Sequence, residues 1–398
     1  MAASSKSLHV VMLPWFAFGH MIPFYQLSIA LAKQGIRVSY ISTPKNITRL
    51  PTIPTNLNHL FKFVEFKLPV VDGLPEGAEA TVDISMEEIQ FLKKAYDMLD
   101  TQFKSFLSVE SIDWIIQDFA SYWVVDIAKE YGIRQIWFSV FCSVLWAFLG
   151  NPNKQRSSWE TLTSQPEWMT IPSTVAFKPF EAKALFAGAY GKNASVMTDA
   201  ERLKKVVQGC QAIASKSCIE YEGGYLDVFQ TVYEKPVIPV GFLPPVPPEK
   251  KKETSEGVPS PSGFQSRTGH IGMVNLGWVP QLDILAHPSI GGSLFHSGWG
   301  SIIETLQHGH TLVVLPLVLD QGLNARLLVE KGLAIEVDRT DDGKFYGEDI
   351  AKALRIGMVN EEGESVRAKA REMKPLFSDQ ELHYDHYISG FVHYLKSY

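Results

Sequence analysis

The sequence predicts an α/β protein with two doubly wound domains, each a parallel sheet covered by helices on both faces. Apolar strand-like runs alternate with helical patterns from the start: residues 8–13 predict a strand, residues 21–33 a helix and residues 37–43 a second strand. A βαβ unit of this kind predicts parallel pairing. A proline-rich stretch at 236–263 divides the chain, whose 398 residues are enough to bury a core on each side.

The same alternation continues through the first half, and we assign residues 1–235 to an N-terminal domain. The other predicted elements of this half are a third strand at 61–68, one long helix at 86–107, a buried strand at 114–117 and a last strand at 212–218. Eight prolines and a charged run predict that residues 236–263 form a linker. Short strands and helices resume at 272–276, which places a C-terminal domain at 264–380.

Composition excludes several classes of protein. The formal net charge of −6 gives no basis for binding nucleic acid or an anionic membrane. Apolar runs at 8–19 and 138–150 are shorter than the roughly 20 residues that span a bilayer, and no cleavage site follows the first. The three cysteines lack CxxC spacing, which is typical of a protein in the reducing cytoplasm. We expect a cytoplasmic monomer without stable membrane insertion.

Residues 278–321 concentrate groups that suit a nucleotide ligand. Trp278 offers a flat face on which a base such as uracil can stack. A Ser-Gly-Trp-Gly-Ser turn at 297–301 opens a predicted helix, so backbone N–H groups and the positive helix end face an anion. Glu304, one turn into that helix, is placed to accept hydrogen bonds from the two ribose hydroxyls. The sequence therefore predicts a sugar-nucleotide site.

The same segment resembles a known family. It runs WVPQLDILAHPSIGGSLFHSGWGSIIETLQHGHTLVVLPLVLDQ and is similar to the signature box of the plant family 1 UDP-glycosyltransferases. The resemblance implies a GT-B-like fold of two Rossmann-like domains facing a cleft, with a helix at 381–398 that packs back on the N-terminal domain. The residues implied to bind the UDP-sugar are Trp278, Gln281 and Glu304 at the uridine, His296, Gly300 and Ser301 at the diphosphate, and Trp299, Asp320 and Gln321 at the sugar.

A histidine and an aspartate in the N-terminal half are the predicted catalytic residues. His20 ends the first βα loop and Asp118 follows the strand at 114–117, where reactive groups gather in such sheets. A histidine suits a base that takes the proton of an acceptor hydroxyl, and a carboxylate can fix its tautomer. The run PWFAFGHMIPFYQLSIALAKQG resembles the family's N-terminal motif. The resemblance implies that His20 is the base of a metal-independent, single-displacement transfer with inversion.

Two other kinds of site can be weighed from residue types. On residue type alone, His287, His296, His308 and His310 could hold a metal, but their spacing fits neither HExxH nor a Cys/His zinc pattern. A dinucleotide-binding oxidoreductase needs GxGxxG after a strand, and no such motif follows any predicted strand. We therefore predict no metal and no cofactor, with the UDP-sugar as co-substrate.

Departures from the family pattern concern the donor sugar. Gly300 stands where most members carry asparagine, and Thr311 where proline is usual. The Ser-Gly-Trp-Gly-Ser turn and residues 72–81 resemble the branch-forming, rhamnosyltransferase-like subgroup, which adds a sugar to an existing glycoside. Gln321 favours glucose by family habit, whereas the subgroup favours rhamnose, and xylose stays open. We predict transfer of a hexose or deoxyhexose to a hydroxyl of a small hydrophobic acceptor, a flavonoid or terpenoid glycoside.

The resemblance is interrupted at the linker. Residues 263–268 resemble the stretch just before the box, so about two βα units, roughly 60 residues, are missing from the C-terminal domain near 246–263. The missing strand would lie centrally in the parallel sheet, and its loop would contact the phosphates. Its loss exposes apolar edges that such sheets normally cover. The alternative function is therefore a catalytically impaired uridine-nucleotide-binding protein with an incomplete C-terminal domain.

Overall fold

The computed structural model describes residues 7–154, 156–245, 263–275 and 279–398. Two predictions fall outside the described residues: the position of Trp278, and the greater part of the linker at 236–263. Within the described ranges, no helix is both long enough and apolar enough to cross a bilayer.

The N-terminal half forms one α/β unit. Its elements in chain order are β1 (His9–Leu13), α1 (Phe18–Lys33), β2 (Arg37–Ser42), α2 (Pro44–Arg49), β3 (Phe61–Glu65), α3 (Ile89–Asp97), α4 (Asp100–Leu107), β4 (Trp114–Gln117), α5 (Val124–Tyr131), β5 (Arg134–Ser139), α6 (Ser143–Leu149), α7 (Pro179–Tyr190), α8 (Asp199–Gly209), β6 (Ala212–Ser215), α9 (Ile219–Tyr233) and β7 (Val237–Pro239). Among the described residues, seven strands pair in the order β3-β2-β1-β4-β5-β6-β7, all in parallel. The predicted parallel α/β class is confirmed.

The sheet order creates a crevice where β1 and β4 meet. All five residues of β1 and all four of β4 are buried, as expected for strands of a parallel sheet with both faces covered. The strand order reverses here, because β2 and β3 lie on one side of β1 and β4 to β7 on the other. Ligands of open α/β sheets bind at the carboxyl ends of the strands beside such a switch point. The segments that leave β1 and β4 there carry His20 and Asp118.

The C-terminal half forms a smaller α/β unit. Its elements are α10 (Phe264–Thr268), α11 (Gln281–Ala286), β8 (Gly292–Phe295), α12 (Trp299–Leu306), β9 (Thr311–Val314), α13 (Gln321–Glu330), β10 (Ala334–Glu336), α14 (Gly347–Met358), α15 (Glu364–Ser378), a π-helical segment (Glu381–His386) and α16 (Tyr387–Lys396). In the part of this half that the structure describes, three strands pair in parallel in the order β10-β9-β8.

Strand β8 lies at one edge of this small sheet as far as the described residues show. All four residues of the central strand β9 are buried, whereas Leu294 of β8 is 41% exposed. Parallel sheets normally have their strands covered. An exposed apolar side chain at β8 is what a missing neighbouring strand would leave, and the internal deletion itself stays a prediction.

The two units share buried surface. Trp299 of α12 packs against Tyr221 and Phe242 of the N-terminal half, with ring centroids 6.1 and 5.7 Å away. Helix α16 returns to the N-terminal unit, where its apolar residues join the core around β1 and β4. The indole N–H of Trp114 in β4 donates to the Leu395 carbonyl of α16 at 3.1 Å.

Some predicted boundaries differ from those of the structure. The single helix predicted at 86–107 is two helices, α3 and α4, because the N–H groups of Met98 and Leu99 bond three residues back and tighten the chain into a turn. Helix α1 begins at Phe18, so His20 lies in its first turn and not in the preceding loop. The helix starts early because the N–H groups of His20 and Met21 both bond to the Ala17 carbonyl.

The N-terminal sheet also extends past residue 235, where the sequence predicts its domain to end. Residues 237–239, predicted as linker, form β7 and pair in parallel with β6, which ends at Ser215 and not at residue 218. Proline is tolerated in β7 because the strand lies at the sheet edge. Residues 272–275, predicted to begin the second set of strands, lie outside any strand or helix.

Candidate active site

His20 and Asp118 form a hydrogen-bonded pair at the switch point. Nδ1 of His20 lies 2.7 Å from Oδ2 of Asp118, whose side chain is 2% exposed. The same carboxylate accepts the N–H groups of Trp15 at 3.0 Å and Phe119 at 2.7 Å. A carboxylate partner keeps the imidazole proton on Nδ1 and leaves Nε2 as an acceptor. The pair therefore has the arrangement of a general base and its orienting carboxylate.

Aromatic side chains surround the imidazole. The ring centroid of His20 lies 5.2 Å from that of Phe141 and 5.8 Å from that of Phe119, and Phe141 packs against Trp146 of α6 at 5.6 Å. Helix α6 is buried along nearly its whole length. The His20 imidazole is thus bordered by an apolar wall.

The loop after β8 leads into α12 with the geometry of an anion site. Gly298 is the N-cap, and Trp299, Gly300 and Ser301 supply the first N–H groups, which have no acceptor within a helix. Negative groups are stabilised at such an end. A Cβ atom at Gly298 would lie 2.6 Å from Nε2 of His296, whereas a Cβ at Gly300 would meet nothing within 4 Å. Glycine at 298 therefore leaves room for the His296 ring beside the helix start.

The loop between β8 and α12 is held to the start of α13. Ser297 adopts a left-handed backbone with φ of 62°, and its hydroxyl donates to the Gln321 carbonyl at 2.8 Å. Beside it, burial lowers the pKa of His296, which favours the neutral ring near physiological pH. A neutral imidazole has one N–H to donate to a phosphate oxygen.

Gln281 and Glu304, both predicted at the uridine, contact each other. The Gln281 side-chain amide donates to Oε2 of Glu304 at 2.6 Å. Burial raises the pKa of Glu304, and the nearby charge of Lys216 opposes that change. The structure therefore brings together a carboxylate of α12 and an amide of α11, and their role at the ribose hydroxyls stays a prediction.

Asp320 and Gln321 lie at the first turn of α13. Asp320 is buried and accepts the Asn324 amide at 2.7 Å, and that amide also donates to the Ser297 carbonyl at 2.9 Å. Burial raises the pKa of Asp320 to about 6, while the charge of His20 acts to lower it. Oε1 of Gln321 accepts two backbone N–H groups of the preceding loop at 2.9 and 3.0 Å. Its NH2 group is thereby turned away from that loop.

The Trp299 side chain lies in the core between the two units, and its implied role at the sugar stays a prediction. The indole is 4% exposed, lies in the shared core of the two units and donates its N–H to the Lys216 carbonyl at 2.9 Å. That N–H is the only polar group of the side chain, so the backbone carries the remaining polar groups of Trp299. The residue positions α12 against the N-terminal half.

Three polar residues at the junction of the two units were not predicted: Lys216, Cys142 and Asn324. The Cys142 thiol donates to Oδ1 of Asn324 at 2.7 Å and so connects α6 to α13. Lys216 and Cys142 both follow buried strands at the carboxyl edge, the same signal that identified Asp118, and that signal could have found them. Across the described residues, no three His, Cys, Asp or Glu side chains are grouped to hold a metal ion.

Comparison with known proteins places this chain in a family. Residues 260–381 match the family described as UDP-glucoronosyl and UDP-glucosyl transferase. UDP-glycosyltransferase 91A1 of Arabidopsis thaliana is 38% identical over 454 aligned positions, which cover 98% of this chain and 96% of the relative. Soyasaponin III rhamnosyltransferase of Glycine max is 33% identical, covering 100% and 97%. Anthocyanidin-3-O-glucoside rhamnosyltransferase of Petunia hybrida is 30% identical, covering 96% and 95%.

Solved structures share the fold at low identity. Glycyrrhiza uralensis UGT73P12, crystallised with glycyrrhetinic acid 3-O-monoglucuronide, superimposes with a TM-score of 0.79 at 19% identity, over 98% of this chain and 96% of that one. Arabidopsis thaliana UGT89C1, crystallised with UDP-L-rhamnose, gives a TM-score of 0.73 at 19% identity, over 98% and 100%.

Fold and comparisons together define a UDP-glycosyltransferase enzyme with the GT-B fold. The chain belongs to the plant family 1 UDP-glycosyltransferases, as the sequence resemblance implied. The rhamnosyltransferases among its relatives confirm the likeness to the branch-forming subgroup.

The alignment lengths bear on the shortened domain. The alignment to the 91A1 enzyme runs over 454 positions, whereas 98% of 398 residues is about 390, so about 64 positions of the relative face gaps in this chain. That excess is close to the roughly 60 residues expected for two βα units. The location of the gap near 246–263 stays a prediction.

Proposed function

We propose that this enzyme transfers glucose or rhamnose from its UDP-sugar, with inversion, to a hydroxyl of a flavonoid or terpenoid glycoside. The observation that carries the proposal is the His20–Asp118 pair, which leaves Nε2 of His20 as an acceptor at the switch point. The aromatic residues around His20 support a hydrophobic acceptor. Two relatives are named for soyasaponin III and for anthocyanidin 3-O-glucoside, and the choice of acceptor class follows them.

The proposed chemistry is one displacement. Nε2 of His20 takes the proton of the acceptor hydroxyl while the oxygen attacks the anomeric carbon, and Asp118 stabilises the imidazolium that forms. The bond from that carbon to the diphosphate oxygen breaks, and its electron pair leaves with UDP. The N–H groups at the start of α12 stabilise the negative charge on the leaving diphosphate.

The proposal also covers the location, oligomeric state and partners of the enzyme. It acts as a cytoplasmic monomer, without a metal and without a nucleic-acid or membrane partner. The cysteines support the cytoplasmic location: Cys142, Cys210 and Cys218 are all buried and free.

The test combines turnover with UDP binding. The wild-type enzyme is assayed for UDP release with UDP-glucose and UDP-rhamnose on a panel of flavonoid and terpenoid glycosides. We expect His20→Ala to lose about 10²- to 10⁴-fold in turnover, the usual contribution of a general base, with the Kd for UDP unchanged. His308→Ala, two residues beyond the C-terminal end of α12, is the matched control and should keep its activity. Loss of UDP binding in His20→Ala would contradict the assigned role.

The alternative, an impaired nucleotide-binding protein, rests on the exposed edge of β8. Wild-type protein that binds UDP but shows no turnover on any glycoside of the panel would establish it in place of the enzyme.

A further inference from the structure

Lys216 is a buried lysine with few partners. It follows β6 directly, at the carboxyl edge of the N-terminal sheet, and is 3% exposed. An ammonium group has three N–H donors. Among the described residues it has one acceptor, Oε1 of Gln26 in α1, at the long distance of 3.4 Å. A buried charge is normally paired and fully hydrogen-bonded, so this ammonium is placed to receive an anion.

Backbone contacts fix Lys216 next to the donor-binding helix. The Trp299 indole N–H donates to the Lys216 carbonyl at 2.9 Å, and Trp299 is the first residue of α12. The Lys216 N–H in turn bonds to the Ser139 carbonyl at the end of β5 at 3.0 Å. Lys216 is therefore held beside the α12 N-terminus, whose free N–H groups favour negative charge.

The electrostatics of the neighbourhood also favour an anionic ligand. Burial lowers the pKa of Lys216 to about 8, and Glu304 is the nearby charge that acts to raise it. In the proposed complex Glu304 accepts hydrogen bonds from the ribose hydroxyls. Lys216 then needs a second negative partner, and the group joined to the ribose is a diphosphate.

We propose that Lys216 binds the diphosphate of the sugar nucleotide, so that the N-terminal domain supplies a cation to the donor site. The inference rests on the proposed function and adds a donor-binding residue to it. Lys216 faces the diphosphate from the N-terminal half, and the start of α12 faces it from the C-terminal half. In the transfer step, Lys216 would stabilise the charge that develops on the departing UDP.

The test compares UDP with uridine, which lacks the diphosphate. Affinities for both are measured by calorimetry on the full chain. We expect Lys216→Met to weaken UDP binding by about tenfold or more, the effect of losing one charge-assisted hydrogen bond, and to leave uridine binding unchanged. Lys216→Arg, which keeps the charge, should retain most of the UDP affinity. Lys352→Met, which removes an exposed lysine of α14 paired with Asp338, is the control for net charge.

The outcomes separate this inference from the proposed function. An unchanged ratio of UDP to uridine affinity in Lys216→Met would overturn the role of Lys216 alone. Equal weakening of UDP and uridine would also overturn it, because the lysine would then act on the whole pocket. Failure of the wild-type protein to bind either ligand would contradict the proposed function itself.

Discussion

Single residues of the candidate site come from distant parts of the chain and are held by short polar contacts. His20 and Asp118 follow different strands yet share one hydrogen bond of 2.7 Å. Gln281 and Glu304 belong to different helices, and Nε2 of Gln281 donates to Oε2 of Glu304 at 2.6 Å. Such contacts fix side chains in the geometry that ligand binding needs, so the entropy of ordering them is lost on folding and not on binding.

The two glycines that flank Trp299 should respond differently to the same change. Gly298→Ala places a Cβ 2.6 Å from Nε2 of His296, which must move away from the helix start. We expect the Kd for UDP to rise by about tenfold, as for the loss of one hydrogen bond. Gly300→Ala meets no atom within 4 Å and should leave the Kd unchanged. Calorimetric titration of both variants checks the pair, and equal effects would show that space around His296 is not the cause.

Glu222 should make stability depend on pH. It is buried, accepts the Val144 N–H at 3.0 Å and the Ser217 hydroxyl at 2.7 Å, and burial raises its pKa to about 7. The folded state therefore keeps this proton at pH values where the unfolded chain has released it. The contribution of Glu222 to the free energy of unfolding therefore falls by up to roughly 3 kcal/mol as the pH rises from about 4.5 to about 7.

The variant Glu222→Gln isolates that contribution, because glutamine keeps the shape and does not titrate. Urea unfolding of both proteins at about pH 5 and about pH 8 should show a smaller loss of stability in the variant over that range. Parallel pH profiles would show that Glu222 carries no such proton.

At the scale of elements, one arginine of α13 connects the two units. Nη2 of Arg326 bonds to Glu181 of α7, and Nη1 bonds to Glu336 of β10 at 3.1 Å. These side chains are 12%, 8% and 14% exposed. Lys178 also bonds to Glu336, at 2.8 Å, so Glu181 would be the acid left without an ion-pair partner if the arginine were removed.

Arg326→Met should therefore destabilise the protein by about 3 kcal/mol, the cost of an uncompensated buried charge. The matched control is Arg371→Met, because Arg371 pairs with Glu364 where both side chains are more than half exposed. Arg371→Met should lower the free energy of unfolding by less than about 1 kcal/mol. Urea unfolding measures both, and equal effects would show that the buried network contributes no more than a surface pair.

The elements also show what local sequence can and cannot predict. β4 was predicted at its observed bounds, because WIIQ is an apolar run with a polar residue on either side. β7 was missed, since Pro239 and the prolines around it favour a linker and only pairing with β6 makes it a strand. The side chains of Trp299 and Arg326 could not be placed from sequence, because Lys216 lies 83 residues from Trp299 along the chain and Glu181 lies 145 residues from Arg326. Residues of one motif, such as Gln281 and Glu304, lie in contact, whereas the side-chain contacts of Trp299 and Arg326 across the two units were not predicted.

For the whole molecule, the proposed reaction needs no metal. Transfer depends on His20, Asp118 and the N–H groups of α12, so dialysis against EDTA should leave the rate of UDP release unchanged. The measurement compares treated and untreated enzyme, with added Mg²⁺ as a third sample. Loss of activity on chelation, restored by Mg²⁺, would contradict the metal-independent mechanism.

The return of α16 to the N-terminal unit has a consequence for synthesis. Its apolar residues complete the core around β1 and β4, and its Leu395 carbonyl satisfies the Trp114 indole. A ribosome makes those strands long before it makes α16. The core of the N-terminal sheet therefore stays incomplete until α16 has been translated. A nonsense mutation ahead of residue 387 would therefore remove α16 and destabilise the N-terminal half, which is translated first.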